Sequence, residues 1–569
     1  MKTVLTLLFL VSLAACQKKT VPEPEPPDPV NPVPVVPGTD PAVANTIGFF
    51  LDRWSPRTFT APSFQETSMP AAATTATVNV DAGAILTKIP GSVFGQNANS
   101  WMTQIVTEAP LMTHLKNLRP GVIRFPGGSI SDVYFWNSSR LTRPATVPDG
   151  HLDANGNLVA DPYWYGQNNE SWTVSVDNYY QLLAQTGAEG MITVNYGYAR
   201  YGTAADPVAT AAHLAADWVR YDNGRTRYWE IGNETNGTWE AGYRIDPALN
   251  KDGQPAIITG ELYGKHVQVF VDSMKNAASQ IGKTIFISAY LLERNPESWQ
   301  TDTDKGWNAG VLAKSANKAD YYTIHSYYTN YQTNAPAMEI LNTATDITTG
   351  MTSYVKSEFA RYGAVTKPIA LTEWNITSQG SMQQVSFING MHASILLAEA
   401  IKNKMGQTSR WDLANGWSNG NDHGLFDMGD EPGGSKWNPR PAFYYMYYMG
   451  LYTGDRLLNT TATNDVLAYG SSFSSGQTAV MMVNKSSTQR IALVTLKNVA
   501  RPKRIYWYVL TGGTDNGEFS RKVLVNGTGP SLPAGGPADY KTLKAFSAAV
   551  NGEIKIELPS RSVVYLVIE

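Results

Sequence analysis

Short apolar runs rich in β-branched and aromatic residues recur through the middle of the chain. Between them the spacing of apolar positions lengthens to three and four. The runs are Gly121–Phe125, Met191–Tyr196, Arg227–Ile231, Thr284–Ala289, Tyr321–His325 and Ile369–Glu373. Each has the length and continuity of a strand covered on both faces. Asp206-Pro207 sets an N-cap side chain before a proline at the first helical position. Val208, Ala211, Ala212, Ala215, Trp218 and Val219 then share one helical face. Val267, Phe270, Val271, Met274, Ala278 and Ile281 repeat that pattern and stop at Gly282. A β-then-α order sustained over residues 91–454 predicts parallel strands, and its length fits an α/β fold of the (β/α)8 TIM barrel kind. A doubly wound sheet shares the alternation, but no glycine-rich dinucleotide fingerprint follows an early strand.

Past residue 455 the helical period gives way to short alternating strands: Thr478–Val483, Arg490–Leu496, Arg504–Val509, Glu553–Leu558 and Ser562–Ile568. They predict a C-terminal β-sandwich over 455–569, with a strand within 76–90 (Thr77–Ile85) joining it from before the barrel. Residues 45–75 mix aromatic and polar residues without a period and receive no assignment. Residues 17–44 carry nine prolines between Pro22 and Pro41, the composition of a stiff polyproline tether. Residues 1–16 have a Lys at position 2, an apolar stretch Val4–Leu13 and then Leu13-Ala-Ala-Cys16. That segment has the form of an export signal, and its last four residues resemble the bacterial lipobox. The resemblance implies lipidation of Cys16 and an exported protein anchored to a membrane, the bacterial outer membrane by expectation, without spanning it.

Composition narrows the function. A net charge of −3 without a long basic run argues against nucleic acid as a partner. One Cys in 569 residues excludes an intramolecular disulfide and a Cys-based metal site. The chain has 15 Trp and 30 Tyr, a supply of flat faces with polar tips suited to sugar rings, although most must pack the core. No motif calls for a cofactor or a metal, and the sequence leaves the oligomeric state open.

The chemistry lies in two segments, Arg227-Tyr-Trp-Glu-Ile-Gly-Asn-Glu234 and Pro368-Ile-Ala-Leu-Thr-Glu373-Trp374-Asn375. Each ends an apolar strand on a carboxylate and enters a polar loop, which in a barrel is the C-terminal rim where catalytic groups sit. Two carboxylates there meet the needs of glycosidic cleavage: one protonates the leaving oxygen, the other attacks the anomeric carbon or activates water. With Gly237-Thr-Trp239, Arg124-Phe-Pro-Gly-Gly128 and His325-Ser-Tyr327-Tyr328, the segments resemble clan A glycoside hydrolases. Within the clan they are most similar to family 51, the α-L-arabinofuranosidases and endoglucanases. The resemblance spans roughly residues 76–569 and implies a retaining mechanism, with Glu234 as acid/base and Glu373 as nucleophile. It implies that Asn233 holds the sugar hydroxyl beside the reacting carbon, that Arg124 and Tyr327 support the nucleophile, and that His325 lines the pocket. Asn97 on strand one and Trp374 are further substrate-binding candidates.

Two positions depart from the arabinofuranosidase pattern. Ser129 stands where a sugar-binding Asn is usual, and the run Gly95-Gln-Asn97-Ala-Asn99 lacks the Glu that holds arabinose. Trp417, in a loop near the end of strand eight, would suit a pyranose platform, so an endo-β-glycanase acting on glucan, xyloglucan or xylan is the alternative. Arg124 beside Glu373 should keep the nucleophile ionised, and a neighbouring carboxylate should raise Glu234. A noncatalytic glycan-binding lipoprotein is a third class, but it would gain nothing from two paired glutamates. Gly416-Trp-Ser418-Asn-Gly420 matches a serine-hydrolase elbow, yet the following Asn421-Asp422-His423-Gly424 reads as loop, where the elbow needs a helix. Asp149–Asn157 hints at a calcium loop but lacks the closing Glu; its Asn155-Gly156 reads as a hairpin turn.

Overall fold

The computed structural model describes residues 37–569. Eight parallel strands close into a barrel: β1 (Gly95–Asn97), β2 (Val122–Phe125), β3 (Glu189–Val194), β4 (Thr226–Ile231), β5 (Phe286–Tyr290), β6 (Tyr321–Tyr327), β7 (Ile369–Asn375) and β8 (Gln407–Arg410). β8 pairs with β1 to complete the ring, Arg410 opposite Gln96. Six strands lie on the apolar runs of the sequence. β1 and β8 read as polar, and the structure pairs their polar atoms locally: Thr408 Oγ1 donates to Val93 O at 2.7 Å, and Gln407 Nε2 to Ser409 Oγ at 2.6 Å.

Helices of ten residues or more surround the barrel: α1 (Ala109–Leu118), α2 (Val176–Thr186), α3 (Pro207–Asp222), α4 (Gly260–Gln280), α5 (Asp302–Ser315), α6 (Ala337–Arg361), α7 (Phe387–Lys402) and α8 (Pro441–Tyr452). α3 begins as its sequence predicts, with the Asp206 carboxylate accepting the Ala209 N–H at 2.9 Å, and it ends at a left-handed Asn223. The 150–160 region is a hairpin, Gly150–Leu152 paired antiparallel with Leu158–Ala160.

Residues 45–75, unassigned from sequence, tie the molecule together. Ile47 and Phe50 are buried against Val122, Met191, Tyr228, Tyr321 and Ala370, residues at or near the starts of five barrel strands. Phe49 stacks on Phe286 with ring centroids 3.7 Å apart. This short helical turn (Gly48–Leu51) closes the mouth of the barrel opposite the rim that carries the glutamates. The chain then passes to the sandwich, where Phe64–Glu66 pairs with Ala545–Ala549. The expected tether also ends earlier than residue 44, because Asp40 is bonded to Arg456 at 2.5 Å and paired with Lys88 at 3.2 Å. Cys16 and the rest of the Leu13–Cys16 segment lie outside the described residues.

In the sandwich, Ala76–Lys88 lies between two C-terminal strands, antiparallel to Arg456–Ala462 and parallel to Arg490–Lys497. Val78, Val80, Val480, Met482, Val494, Ile556, Val564 and Leu566 fill the space between the faces. Tyr565 fastens the sandwich to the barrel, sharing a hydrogen bond with Ser394 on α7 and donating to Tyr445 O on α8, each at 2.8 Å. No helix among the described residues is long and apolar enough to cross a membrane.

Candidate active site

On β7 the pairing with β6 slips, Ile324 lying opposite Leu371 and His325 opposite Glu373, so that the successive residues Thr372 and Glu373 both reach the polar cluster inside the barrel, with Trp374 packed in the apolar core beside them. Trp374 is fully buried there, so the expectation that it offers a face to substrate is corrected. β4 points Glu230 inward by regular alternation, on the side it shares with Tyr228. Past β4 the chain turns sharply at Gly232, φ 74°, where a Cβ would stand 2.7 Å from Tyr196 and Thr235 atoms. Glu234 itself is left-handed at φ 39°, a conformation that costs a non-glycine residue about 1–3 kcal/mol and gathers at functional sites. The turn is held from below by Asp132, whose carboxylate accepts the N–H groups of Tyr196, Gly197 and Asn233, each at 3.1 Å.

Arg124, on β2, is the centre of the site. Its Nη1 donates to Glu373 Oε1 at 2.9 Å and to Asn97 Oδ1 at 3.0 Å, its Nη2 to Asn233 Oδ1 at 2.9 Å, and its Nε to Glu230. Tyr327 donates to the other Glu373 oxygen at 3.1 Å. Glu234 meets His325 Nδ1 at 2.9 Å through Oε1 and accepts the Trp239 indole N–H at 3.1 Å through Oε2. His325 Nδ1 also stands 3.8 Å from Glu373. One oxygen of Glu234, one of Glu373 and a His325 nitrogen all lie within 4.8 Å of one another. A metal could be drawn through such a triangle, but its donors already face Arg124, Tyr327, Trp239 and each other.

The electrostatics differ from the sequence expectation. Burial pushes Glu373 upward and the neighbouring Glu234 adds to this, so it sits above the ordinary carboxylate range although His325 and Arg124 pull it down. Burial also pushes Glu234 upward, but the hydrogen bond and charge of His325, helped by Trp239 and Arg124, bring it below that range. The second carboxylate was expected to raise Glu234, but His325 stands closer to it. His325 is lowered by burial and raised more by Glu373 and Glu234, which leaves it above the usual imidazole value.

The structure brings Glu234, Glu373, Asn233, Arg124, His325 and Tyr327 together. Asn97 is also present but fully buried, with its amide donating to the carbonyls of Thr372, Ser409 and Arg410. It braces Arg124 and has no free edge for a sugar, which corrects its assignment as a substrate ligand. Trp417 lies against the Arg521 guanidinium, 5.4 Å from its ring centroid, and its backbone N–H is held by Asp430. The indole that touches a candidate carboxylate is Trp239, 64% exposed. At the departures from the family pattern, Ser129 donates to Glu240 at 2.8 Å, and Glu240 also accepts from the Asn233 amide at 2.9 Å. Asn99 donates to Asp412, which follows β8, and the other Asp412 oxygen has no hydrogen-bond partner. Sequence reading missed Asp412 and Thr372, and gave Glu230 no part in the chemistry.

Residues 114–332 match the family model described as the alpha-L-arabinofuranosidase 1 domain, a span that includes Arg124, Asn233, Glu234, His325 and Tyr327. The chain is 23% identical over 226 residues to an intracellular exo-alpha-(1->5)-L-arabinofuranosidase of Acetivibrio thermocellus, 38% of each chain. It is 23% identical over 275 residues to a Bacillus subtilis protein of the same description, 46% of this chain and 48% of that one. The match thus spans less than half the length of these curated relatives. Among solved structures, the α-L-arabinofuranosidase of Thermotoga maritima in complex with arabinose superposes with a TM-score of 0.60 at 16% identity, over 87% of this chain and all of that one. A bifunctional glucanase-xylanase from a metagenome library reaches 0.56 at 14% identity, over 87% of this chain and 99% of that one. The chain resembles the clan A glycoside hydrolases of family 51 and has their barrel-and-sandwich fold.

Proposed function

We propose that this chain is a retaining glycoside hydrolase of the α-L-arabinofuranosidase kind, acting on plant-type polysaccharide or its oligosaccharides. Glu373 is its nucleophile and Glu234 its acid/base. The observation that carries the reading is the pair of carboxylates from the ends of β4 and β7, with oxygens within 4.8 Å. Retaining pairs stand about 5–5.5 Å apart, whereas inverting pairs need about 6.5–9.5 Å to admit a water. A Glu373 oxygen bonds to the anomeric carbon as the glycosidic bond breaks, and the leaving oxygen takes the proton from Glu234. Water, deprotonated by Glu234, then displaces Glu373, so two inversions give net retention. Arg124 and Tyr327 each hold one oxygen of Glu373. Asn233 is oriented by Arg124 on its carbonyl and Glu240 on its amide, which leaves one N–H to meet a sugar hydroxyl.

The test replaces each glutamate. Glu373→Ala should lose turnover on every substrate, and azide should restore only a product of inverted configuration. Glu234→Ala should slow the first step by roughly 10²–10⁴-fold with a poor leaving group. An activated aryl glycoside should largely escape that loss, and azide should then give a product of retained configuration. Substantial activity in Glu373→Ala, or exchanged product configurations, would refute the assignment.

Ser129 and Asn99 favour a second reading, an endo-β-glycanase. Both are turned to neighbouring carboxylates, and Asp412, just past β8, supplies an acid that β1 lacks. On this ground an aryl α-L-arabinofuranoside should be turned over more weakly than some member of a panel of arabinan, arabinoxylan, xyloglucan and β-glucan. High activity on the aryl arabinofuranoside alone would restore the simpler arabinofuranosidase reading. We propose further that Cys16 carries a lipid that holds the exported protein to a membrane. Cys16→Ala should release the protein or leave an unprocessed precursor, and an unchanged acylated membrane species would exclude the anchor.

A further inference from the structure

Beneath the two candidate catalytic carboxylates lies a third, Glu230, which double displacement leaves without a part. It is 1% exposed and accepts from Arg124 Nε, from Thr193 Oγ1 at 2.7 Å and from Thr372 Oγ1 at 2.6 Å. Three donors, one of them a guanidinium, require an ionised carboxylate. Thr372 has a single O–H, and Glu230 takes it. The Thr372 oxygen can then only accept from His325 Nε2, which stands 3.0 Å away. His325 therefore carries a proton on Nε2, and its Nδ1 faces Glu234 at 2.9 Å. Two bare lone pairs would repel at that distance, so a second proton belongs between Nδ1 and Oε1.

We propose that Glu230, acting through Thr372, is a positioning residue that locks His325 in its Nε2–H form and so makes His325 and Glu234 a unit that retains a transferable proton. The lock works on the deprotonated state. A free imidazole would answer loss of the proton by moving its remaining hydrogen to Nδ1 and donating it to the Glu234 anion. With Nε2–H committed to Thr372, that escape is closed and the unit holds its proton to higher pH. The charged and titratable groups around His325 are Glu234 beyond β4, Glu230 on β4, Glu373 on β7 and Arg124 on β2, with Tyr290 on β5 edge-on to its ring and Glu293 just after β5. The anions favour the doubly protonated ring and Arg124 opposes it, consistent with the raised His325. The proposal rests on Glu234 being the acid/base.

Histidine-selective ¹⁵N NMR on the whole protein tests the lock without any turnover. His325, identified by the signal lost in His325→Asn, should carry its hydrogen on Nε2 in the wild type. In Thr372→Val, equal in size but without the hydroxyl, the neutral ring should change to the Nδ1–H form. The alkaline limb of kcat/KM on a glycoside with a poor leaving group should then move to lower pH, with a loss on that limb of up to about 10²-fold. Thr372→Ser should recover both, and Glu230→Gln should reproduce the valine variant. A wild-type ring with bare Nε2 overturns the proposal, as does a valine variant whose tautomer and pH limb match the wild type. Should no glycoside be turned over, the function proposed above fails while the wild-type spectrum still judges the lock.

Discussion

Arg124→Lys keeps the positive charge at the centre of the site and removes only its shape. The guanidinium is wholly buried and donates in separate directions to Glu230, Glu373, Asn97 and Asn233. A lysine ammonium offers three N–H groups from one point and cannot stand between acceptors on β1, β4, β7 and the turn past β4 at once. Facing the two carboxylates, it leaves both asparagines without their donor. Hydrogen bonds from a charged group contribute about 1.5–3 kcal/mol each, so losing two costs about 3–6 kcal/mol. Some of that loss is stability. The rest is the orientation of Asn233, whose amide no longer aims its free N–H at the substrate. At about 1.4 kcal/mol per factor of ten, kcat/KM on an aryl glycoside should fall roughly 10²–10³-fold. Because a charge still faces Glu373, the acid limb of the pH profile should change little. The measurements are initial rates across pH and a urea unfolding curve of the same preparation. Activity within about threefold of wild type, with stability lowered, would show that Arg124 serves packing alone and refute the reasoning.

Trp239 separates two effects. Trp239→Phe removes the N–H that stabilises the Glu234 anion, which should raise the proton affinity of Glu234 and move the alkaline limb to higher pH, opposite in sign to Thr372→Val. Trp239→Ala should add a rise in KM for substrates with a sugar in the leaving group, and an unchanged KM would remove the indole from substrate contact. At the other mouth of the barrel, Phe50→Ala should cost about 3–5 kcal/mol of stability, the usual result of emptying a buried aromatic site. Folded Phe50→Ala protein should keep its kcat, and a stability loss under about 1 kcal/mol would mean the turn at 48–51 does not plug the barrel.

The barrel was legible where a strand is apolar on both faces, and faint where the interior is polar. β4 and β7 announce themselves through Tyr228-Trp229 and Ile369-Ala-Leu371, but β8 is Gln407-Thr-Ser-Arg410, whose side chains are satisfied by one another and by carbonyls of Val93, Asp412 and His423 that only the folded chain brings near. Residues 45–75 resisted reading for a different reason. Ile47 and Phe50 are buried by the starts of strands remote in sequence, so no local period marks them. The Ala76–Lys88 strand could be read, because its alternation is local even though its partners begin at Arg456 and Arg490.

The site divides along the same line. Glu234 and Glu373 stand at strand ends inside recognisable motifs. Arg124 and Glu230, which brace the site from beneath, sit within strands and are anomalies only by charge. A carboxylate buried without a partner costs several kcal/mol, so Glu230 in the middle of Arg227-Tyr-Trp-Glu-Ile demands a cation. Arg124 in Gly121-Val-Ile-Arg-Phe is the matching anomaly, a cation in the middle of an apolar run. Each charge alone argues against its own strand; together they argue for a barrel that brings β2 and β4 to one interior layer. The two tryptophans show the limit of motif reading. Trp374 follows the proposed nucleophile directly, but the strand pairing slips between Leu371 and Glu373 and sets Thr372 and Glu373 together on the polar cluster, while Trp374 is fully buried. Trp239, five residues past Glu234 on a turn, folds back to touch it. Placing an aromatic beside a catalytic carboxylate therefore depends on whether strand or turn carries it, and only after that on its distance along the chain.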